Sequence, residues 1–369
     1  MEVQKFKYID CLRGIAILLV LAIHNGQYGT SLSDIAPLFD KFRFAGRYGV
    51  QLFFLVSAYT LMLSYQNRKV ESNHKRNFFI RRFFRIVPMY YIAFICYAID
   101  SVFFATEFQE SLNMLEFTLP DIIKNIFFLN IFYPRSPFYV PGGWSVVTEM
   151  FFYLLLPLIW TYAKNINKII LLFIGSLVLS VSFSSLFSDY FPTVISLYIS
   201  FFNQLPVFIL GILMYYIINQ KKIHLNKWIL ILLIITAPFY LYFIDHDVFD
   251  CLKASVILFL FALLICKKQY KIVVNSFFSQ VGKISFSMYL IHFGVLYWMN
   301  RLDFVDFIPC TSKLLSIFNY FVRYGILFMI TGLLSYFSYL YLEKFFIKKG
   351  KEVIMQITLD PKKRKAPKH

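Results

Sequence analysis

The chain has 369 residues, 59% of them hydrophobic, with a mean hydropathy of +0.63. Those values exclude an ordinary soluble domain, and apolar runs close to the roughly 20 residues a helix needs to cross a bilayer recur along the whole sequence. The formal net charge of +17 would suit a nucleic-acid partner, but the basic residues fall in clusters between the runs. The positive charge is therefore read as topology, and no nucleic-acid partner is expected.

Ten apolar runs predict an all-α, polytopic membrane bundle of about ten transmembrane helices, near 9–27, 49–65, 87–106, 144–163, 168–187, 194–219, 228–244, 250–266, 282–300 and 315–342. Lys/Arg clusters follow every second run: 68–85, "KNINK" (164–168), "KKIHLNK" (221–227), "KKQYK" (267–271) and the C-terminal tail. The alternate loops, "FSDYF" and "DHDVFD", are acidic or nearly neutral. By the positive-inside rule both termini are predicted to be cytoplasmic.

The first run, "YIDCLRGIAILLVLAIH" (8–24), holds Arg13 and His24. It lacks a small-residue cleavage site and reads as a retained span. The two residues are eleven apart, which on a helix puts them on one side about 16 Å apart along the axis. Arg13 reads either as a snorkelling anchor or as a functional cation. His24 reads either as an interhelical hydrogen bond or as a proton-handling group. Before the third run stand Arg81, Arg82 and Arg85. Basic residues belong at such a boundary, yet Arg82 and Arg85 share a face at i, i+3 and two guanidiniums there can grip a phosphate.

Residues 107–143 form the longest stretch without a span. They carry "IIKNIFFLNIFY", too short to cross and read as a re-entrant or interfacial helix, then the turn-rich "PRSPFYVPGGWS". Glu149, in "GGWSVVTEMFFY", lies about 7 Å below Trp144 along the fourth span. That depth is predicted to match His24, so the carboxylate and the imidazole are expected to form an acid–base pair. The alternative is a structural ion pair or a protonated carboxyl. His292, near mid-span in the ninth run, reads as a substrate-orienting group or a packed histidine. No phosphate-binding glycine loop and no metal-like cluster occurs, so no metal site and no permanently bound cofactor are expected.

Five blocks, in order, resemble the acyltransferase-3 family of integral membrane O-acyltransferases. The first run matches the family's Arg, ten residues, His signature. "GRYGVQLFFLVSAY" (46–59), "RRFFRIVPMYY" (81–91), "WSVVTEMFFY" (144–153) and "SMYLIH" (287–292) match four further motifs. Ala58 stands where relatives carry Gly, and Lys344–Phe345 where they often carry Arg-Pro. The resemblance implies an acyltransferase domain over 1–345, followed by a basic cytoplasmic tail, expected disordered, over 346–369. It implies a multi-pass protein of a bacterial inner or plasma membrane. The enzyme would move an acyl group, most simply acetyl from cytosolic acetyl-CoA as co-substrate, to a hydroxyl of an envelope glycan or a lipid-linked sugar such as an O-antigen or exopolysaccharide precursor. Many relatives append an extracytoplasmic esterase-like domain; here transfer is expected to finish in the membrane domain or with a separate partner.

The resemblance assigns His24 and Glu149 to catalysis and Arg13, Arg82 and Arg85 to the donor's phosphates. Ser57, Trp144, Ser145, Tyr289 and His292 are expected near the substrate. The rival from another class is a transporter or flippase of a lipid-linked sugar or acyl donor, whose polar residues would line a pathway. The halves show no matching interrupted helices of the kind such a transporter would carry.

Overall fold

A computed structural model describes residues 6–104, 118–133, 135–191, 193–219, 228 and 250–359, and every regular element among them is a helix. In chain order the main helices are α1 (Lys7–Asn25), α2 (Pro37–Phe44), α3 (Gly49–Asn67), α4 (His74–Phe104), α5 (Gly143–Tyr162), α6 (Ile166–Phe187) and α7 (Phe201–Asn219). Then come α8 (Asp250–Lys268), α9 (Ser276–Lys283), α10 (Ser285–Arg301), α11 (Lys313–Ser338) and α12 (Lys344–Leu359).

Among the described residues seven helical runs are long and apolar enough to cross a bilayer: α1, α2–α3 as one run (Pro37–Asn67), α4, α5, α6, α7 and the joined α11–α12. α8 and α10 occupy two further expected spans as helices of 19 and 17 residues. The former carries Asp250, Lys253, Lys267 and Lys268 and so is less apolar. Of the span expected at 228–244, all but Trp228 lies outside the described residues.

The C-terminus departs from expectation. Residues 346–359, read from composition as part of a disordered tail, are helical to Leu359; residues 360–369 lie outside the described residues. A π-turn at Tyr339–Glu343 joins α11 to α12, making one helical run of 46 residues from Lys313 to Thr358. At 1.5 Å per residue that is about 69 Å, more than twice the thickness of a hydrocarbon core, so its far end stands clear of the bilayer. The helix persists because it has a partner, not because its lysines favour order. Gly350 lies so close to the Phe84 side chain on α4 that a Cβ there would meet it at 2.8 Å.

α1 is central. It buries Ile9, Leu12, Ala16, Ile17, Val20 and Leu21 and packs on α3, α9, α10 and α11. Its closest approach is to α9, where a Cβ on Gly14 would fall 2.2 Å from the Phe278 carbonyl oxygen. A glycine at that position lets two backbones touch and fixes the height of the neighbouring Arg13.

The segment before α5 sets the depth of everything that follows. A short helix, Leu119–Ile126, matches the expected non-crossing segment. Its buried Asn125 donates to the Pro137 carbonyl at 2.9 Å and accepts from the Tyr139 amide at 3.2 Å. Those bonds satisfy backbone groups that would otherwise be stranded, so Tyr139 and Val140 run inside the protein at 5% and 0% exposure. α5 therefore begins within the bundle and not at its edge.

Candidate active site

Near the Lys7 end of the bundle, polar side chains from four helices converge. Arg13 on α1 donates from Nη2 to the Thr60 hydroxyl of α3 at 3.1 Å, and Thr60 donates to the Ser57 carbonyl at 2.9 Å. Ser57 and Tyr153 both donate to Oε1 of Glu149, Tyr153 at 2.5 Å. Arg82 of α4 lies over the ring of Tyr153, its guanidinium carbon 5.4 Å from the centroid. Arg13, Arg82 and Arg85 feel one another's charge, and Glu149 acts on Arg13 and Arg82 from the opposite sign.

Two cavities meet at this cluster. A small one, about 80 Å³, is bounded by Arg13, Arg82, Arg85, Glu149, Ser57 and Tyr289, among others. A wide one, about 580 Å³, is bounded by Asp10, Arg13, Arg68, Arg85, Lys283 and Glu343 and their neighbours. Arg13 and Arg85 belong to both walls. At the mouth of the wide cavity Glu71 binds Arg81 at 2.6 Å and Arg68 at 3.5 Å. Burial alone would raise the Glu71 carboxyl. The hydrogen bond and charge of Arg81, with the charge of Arg68, outweigh it and hold the group below the usual range.

Tyr289 of α10 closes the other end of the small cavity. It accepts from Ser145 at 2.8 Å and donates to the Gly142 carbonyl at 2.9 Å. Gly142 has φ +72°, and a Cβ there would sit 3.0 Å from the Tyr289 hydroxyl, so the turn demands glycine.

His24 lies elsewhere, in the last turn of α1. Its Nδ1 is 3.0 Å from Oε1 of Gln27, and its ring centroid is 5.3 Å from that of His292 and 4.3 Å from that of Phe293. Glu149 is not among its contacts. Gly142 packs against Phe293, at the level of His24, and Glu149 follows seven residues further along α5. That is about 10 Å deeper at helical rise. The expectation of equal depth took the start of α5 as the membrane edge, whereas the buried 139–142 segment sinks it.

The structure thus brings together Arg13, Arg82, Arg85, Glu149, Ser57, Ser145 and Tyr289 around one cavity, and separately joins His24 to His292. Trp144 belongs to neither group; its ring packs edge-on against Phe54 and Tyr198 in the core. Four participants escaped the sequence reading. Tyr153 stands one turn from Glu149 and Thr60 one turn from Ser57, spacings that signal a shared face. Gln27 follows the first run too closely to announce itself. Glu343 is an ionisable residue in the last long run. It is 2% exposed, accepts from Ser287 at 3.1 Å and feels the charges of Arg85 and Arg13. It closes the π-turn, a distortion that often marks functional positions.

Comparison with known proteins places the chain in a family. The peptidoglycan O-acetyltransferase OatA of Listeria monocytogenes serovar 1/2a (strain ATCC BAA-679 / EGD-e) is 31% identical over 156 residues. The match covers 40% of this chain and 23% of the relative, so the chain spans under a quarter of that protein's length. No solved structure matches. The family described as "Acyltransferase domain" matches residues 6–340, nearly the whole of the described bundle, and the chain belongs to that acyltransferase-3 family.

Proposed function

We propose that this chain is a membrane O-acetyltransferase that moves an acetyl group from acetyl-CoA on the cytoplasmic side to a hydroxyl of an envelope carbohydrate. Candidate acceptors are an O-antigen, an exopolysaccharide, a peptidoglycan sugar or a lipid-linked precursor. It works in a bacterial cell membrane with both termini inside. The observation that carries this reading is the shared wall of the two cavities. A wide vestibule, lined by Arg13, Arg68, Arg85 and Lys283 with Asp10, Glu71 and Glu343 among them, narrows past Arg13 and Arg85 into a small chamber that holds Arg82 and Glu149.

In this reading the vestibule receives the polyanionic nucleotide, with Arg13 and Arg85 on its phosphates and Arg82 further in. Glu149 is the counter-charge that allows three guanidiniums to share a low-dielectric site, and Ser57 and Tyr153 hold it in place. Tyr289 and Ser145 face the thioester end, and His24 is the general base toward the acceptor hydroxyl. The acceptor O–H gives its proton to His24, the oxygen bonds to the acyl carbon, and the C–S bond breaks. The thiolate then takes the proton.

The test is a sealed-vesicle assay with acetyl-labelled acetyl-CoA on the side of the basic loops and envelope glycans on the other. Base-labile label on glycan is the expected result. Label that crosses the membrane while still attached to coenzyme A, with none on glycan, would instead make the chain a carrier.

A further inference from the structure

A third cavity, about 710 Å³ and larger than either of those at the arginine cluster, lies between α4, α10 and α11. Its volume falls within the ~300–1,000 Å³ of ordinary ligand pockets, yet nothing in the acyl-transfer scheme uses it. The wall is apolar, with Met89, Ala93 and Cys96 from α4, Ile291 and Val295 from α10 and Leu334 from α11. On α4 the lining positions run from Met89 to Asp100 at helical spacing, one stripe about 16 Å long. That is about half of the ~30 Å hydrocarbon thickness. Pro88 stands directly before the stripe, where its missing N–H and the bulk of its ring favour a bend.

The cleft is built into the packing. The Tyr97 hydroxyl of α4 accepts from the Gly294 amide at 3.0 Å and donates to the Leu290 carbonyl at 2.8 Å. This bridge ties α4 to α10 within the lining and sets their separation. Leu334 on the flank is 47% exposed, so the groove opens sideways to the bilayer.

The two ends of the groove differ. Toward the Lys7 side it stops at Ser287 and Leu342. At the far end Asp100 accepts from the Trp298 indole and feels the charge of Arg301. The Arg301 guanidinium carbon lies 5.3 Å from the Trp298 ring centroid, and its Nη1 donates to the Tyr297 hydroxyl at 3.2 Å. This end adjoins His24. Tyr28, four residues past His24, is within electrostatic reach of Tyr97 and Tyr297. Ile291 and Gly294 of the wall flank His292 and Phe293, which pack on the His24 ring.

An occupant that satisfies the whole groove has a long hydrocarbon chain, an anionic group for Arg301 and neutral hydroxyls for Asp100. The Asp100 charge is already answered by Arg301, so the ammonium of a zwitterionic phospholipid is not what it calls for. A water-soluble polymer would leave the apolar length unfilled. We propose that the groove between α4, α10 and α11 seats the hydrocarbon chain of a polyprenyl-phosphate-linked sugar, with its phosphate at Arg301 and its sugar turned past Tyr28 toward His24. The inference rests on the acyl-transfer reading and narrows the acceptor to a lipid-linked sugar.

The site is tested first by photolabelling. Purified full-length protein in mild detergent is irradiated with a polyprenyl phosphate that carries a diazirine in its chain, and the labelled peptides are mapped. Label should concentrate on residues 89–100 and 287–298. Excess unlabelled polyprenyl phosphate should lower it roughly tenfold, and the same amount of phosphatidylglycerol less than about twofold. Label spread equally over the outward face of α6, or equal competition by the diacyl lipid, would make the groove an ordinary lipid-facing cleft and overturn the proposal.

A variant then links the site to transfer. Ala93→Trp fills the groove from α4, and Val178→Trp on α6, where Val178 is 60% exposed, is the control. Both are assayed in membranes that carry the source cell's own glycans, with labelled acetyl-CoA and at matched protein levels. Ala93→Trp should lose the photolabel and lower transfer at least roughly tenfold, with KM for acetyl-CoA within about twofold. Val178→Trp should match the parent in both. Transfer at half the parental rate or more in an Ala93→Trp protein that no longer labels would overturn the proposal. If Ala93→Trp fails to accumulate, the labelling of the unaltered chain decides alone. A parent that labels in the groove but leaves no ester on glycan sinks the acyl-transfer reading, whereas an active parent without specific label sinks only this inference.

Discussion

At the Lys7 end of α1, Arg13, Arg68, Arg82 and Arg85 and the carboxylates of Asp10, Glu71, Glu149 and Glu343 line two cavities, and the buried carboxylates are held by donors: Glu149 by Ser57 and Tyr153, Glu343 by Ser287. At the other end, about 16 Å away along the same helix, the His24 and His292 rings pack 5.3 Å apart between centroids, and Nε2 of His292 has no hydrogen-bond partner among the described residues. The first region is electrostatically complete before any substrate arrives. The second is built from two imidazoles and the Gln27 amide. Binding a polyanion calls for charge already in place, whereas a general base calls for a ring nitrogen free to take a proton. One helix that links both suits an enzyme whose donor and acceptor approach from opposite faces of a membrane.

The contrast can be broken most decisively at its far end. If the two regions divide binding from chemistry, His24→Ala should lower kcat by roughly 10³-fold while KM for acetyl-CoA moves less than about twofold. Steady-state kinetics at matched protein levels would read both. Glu149→Gln should behave differently, although the sequence placed it in the same acid–base pair. Removing the counter-charge leaves buried guanidiniums opposed by one carboxylate fewer, at a cost of about 3 kcal/mol. A clear drop in melting temperature and a raised KM for acetyl-CoA are the expected signs. Identical kinetic phenotypes for the two variants would restore the predicted pair and abolish the division.

Much of this was legible in the sequence, and the failures have physical causes. Arg13, Arg82, Arg85 and Glu149 stood out because a charge within an apolar run is expensive, and they do meet at one site. The same logic points to Glu343, an ionisable residue in the last long run. Helical spacing supplied the common face of Arg13 and His24. What spacing cannot supply is the height of one helix against another. The depth of Glu149 depends on Asn125, more than twenty residues upstream, whose side chain anchors the 137–139 segment inside the protein. A turn-rich string such as "PGGWS" reads as surface, and here it is half-buried to buried. The tail failed for a related reason. Its composition favours disorder, but its fate is decided by Phe84, a residue some 266 positions earlier that receives Gly350.

Within the binding region a smaller change sharpens the picture. Arg82→Lys keeps the charge and loses the planar group that lies over Tyr153. A compact ammonium cannot stack on the ring or donate in a fork. KM for acetyl-CoA should rise roughly tenfold with kcat little altered, as expected when one good charge-assisted contact is lost. An unchanged KM would return Arg82 to the role of a topological anchor.

The smallest expected effect lies at the vestibule mouth, where Glu71 competes with any incoming anion for Arg68 and Arg81. Glu71→Gln should release both cations and lower KM for acetyl-CoA by about twofold, an effect that added salt should erase because the groups are solvated. The pair also carries a small pH signature. The Glu71 carboxyl is held below its usual range, so its contribution to stability is present above the ordinary glutamate range. It is lost as pH falls through the depressed folded value. With both side chains partly exposed the loss stays under ~1 kcal/mol. The parent's melting temperature should therefore dip slightly more on acidification than that of Glu71→Gln. Equal dips would mean that Glu71 is no better paired in the folded chain than in the unfolded one. The vestibule would then present Arg68 and Arg81 to the donor unopposed.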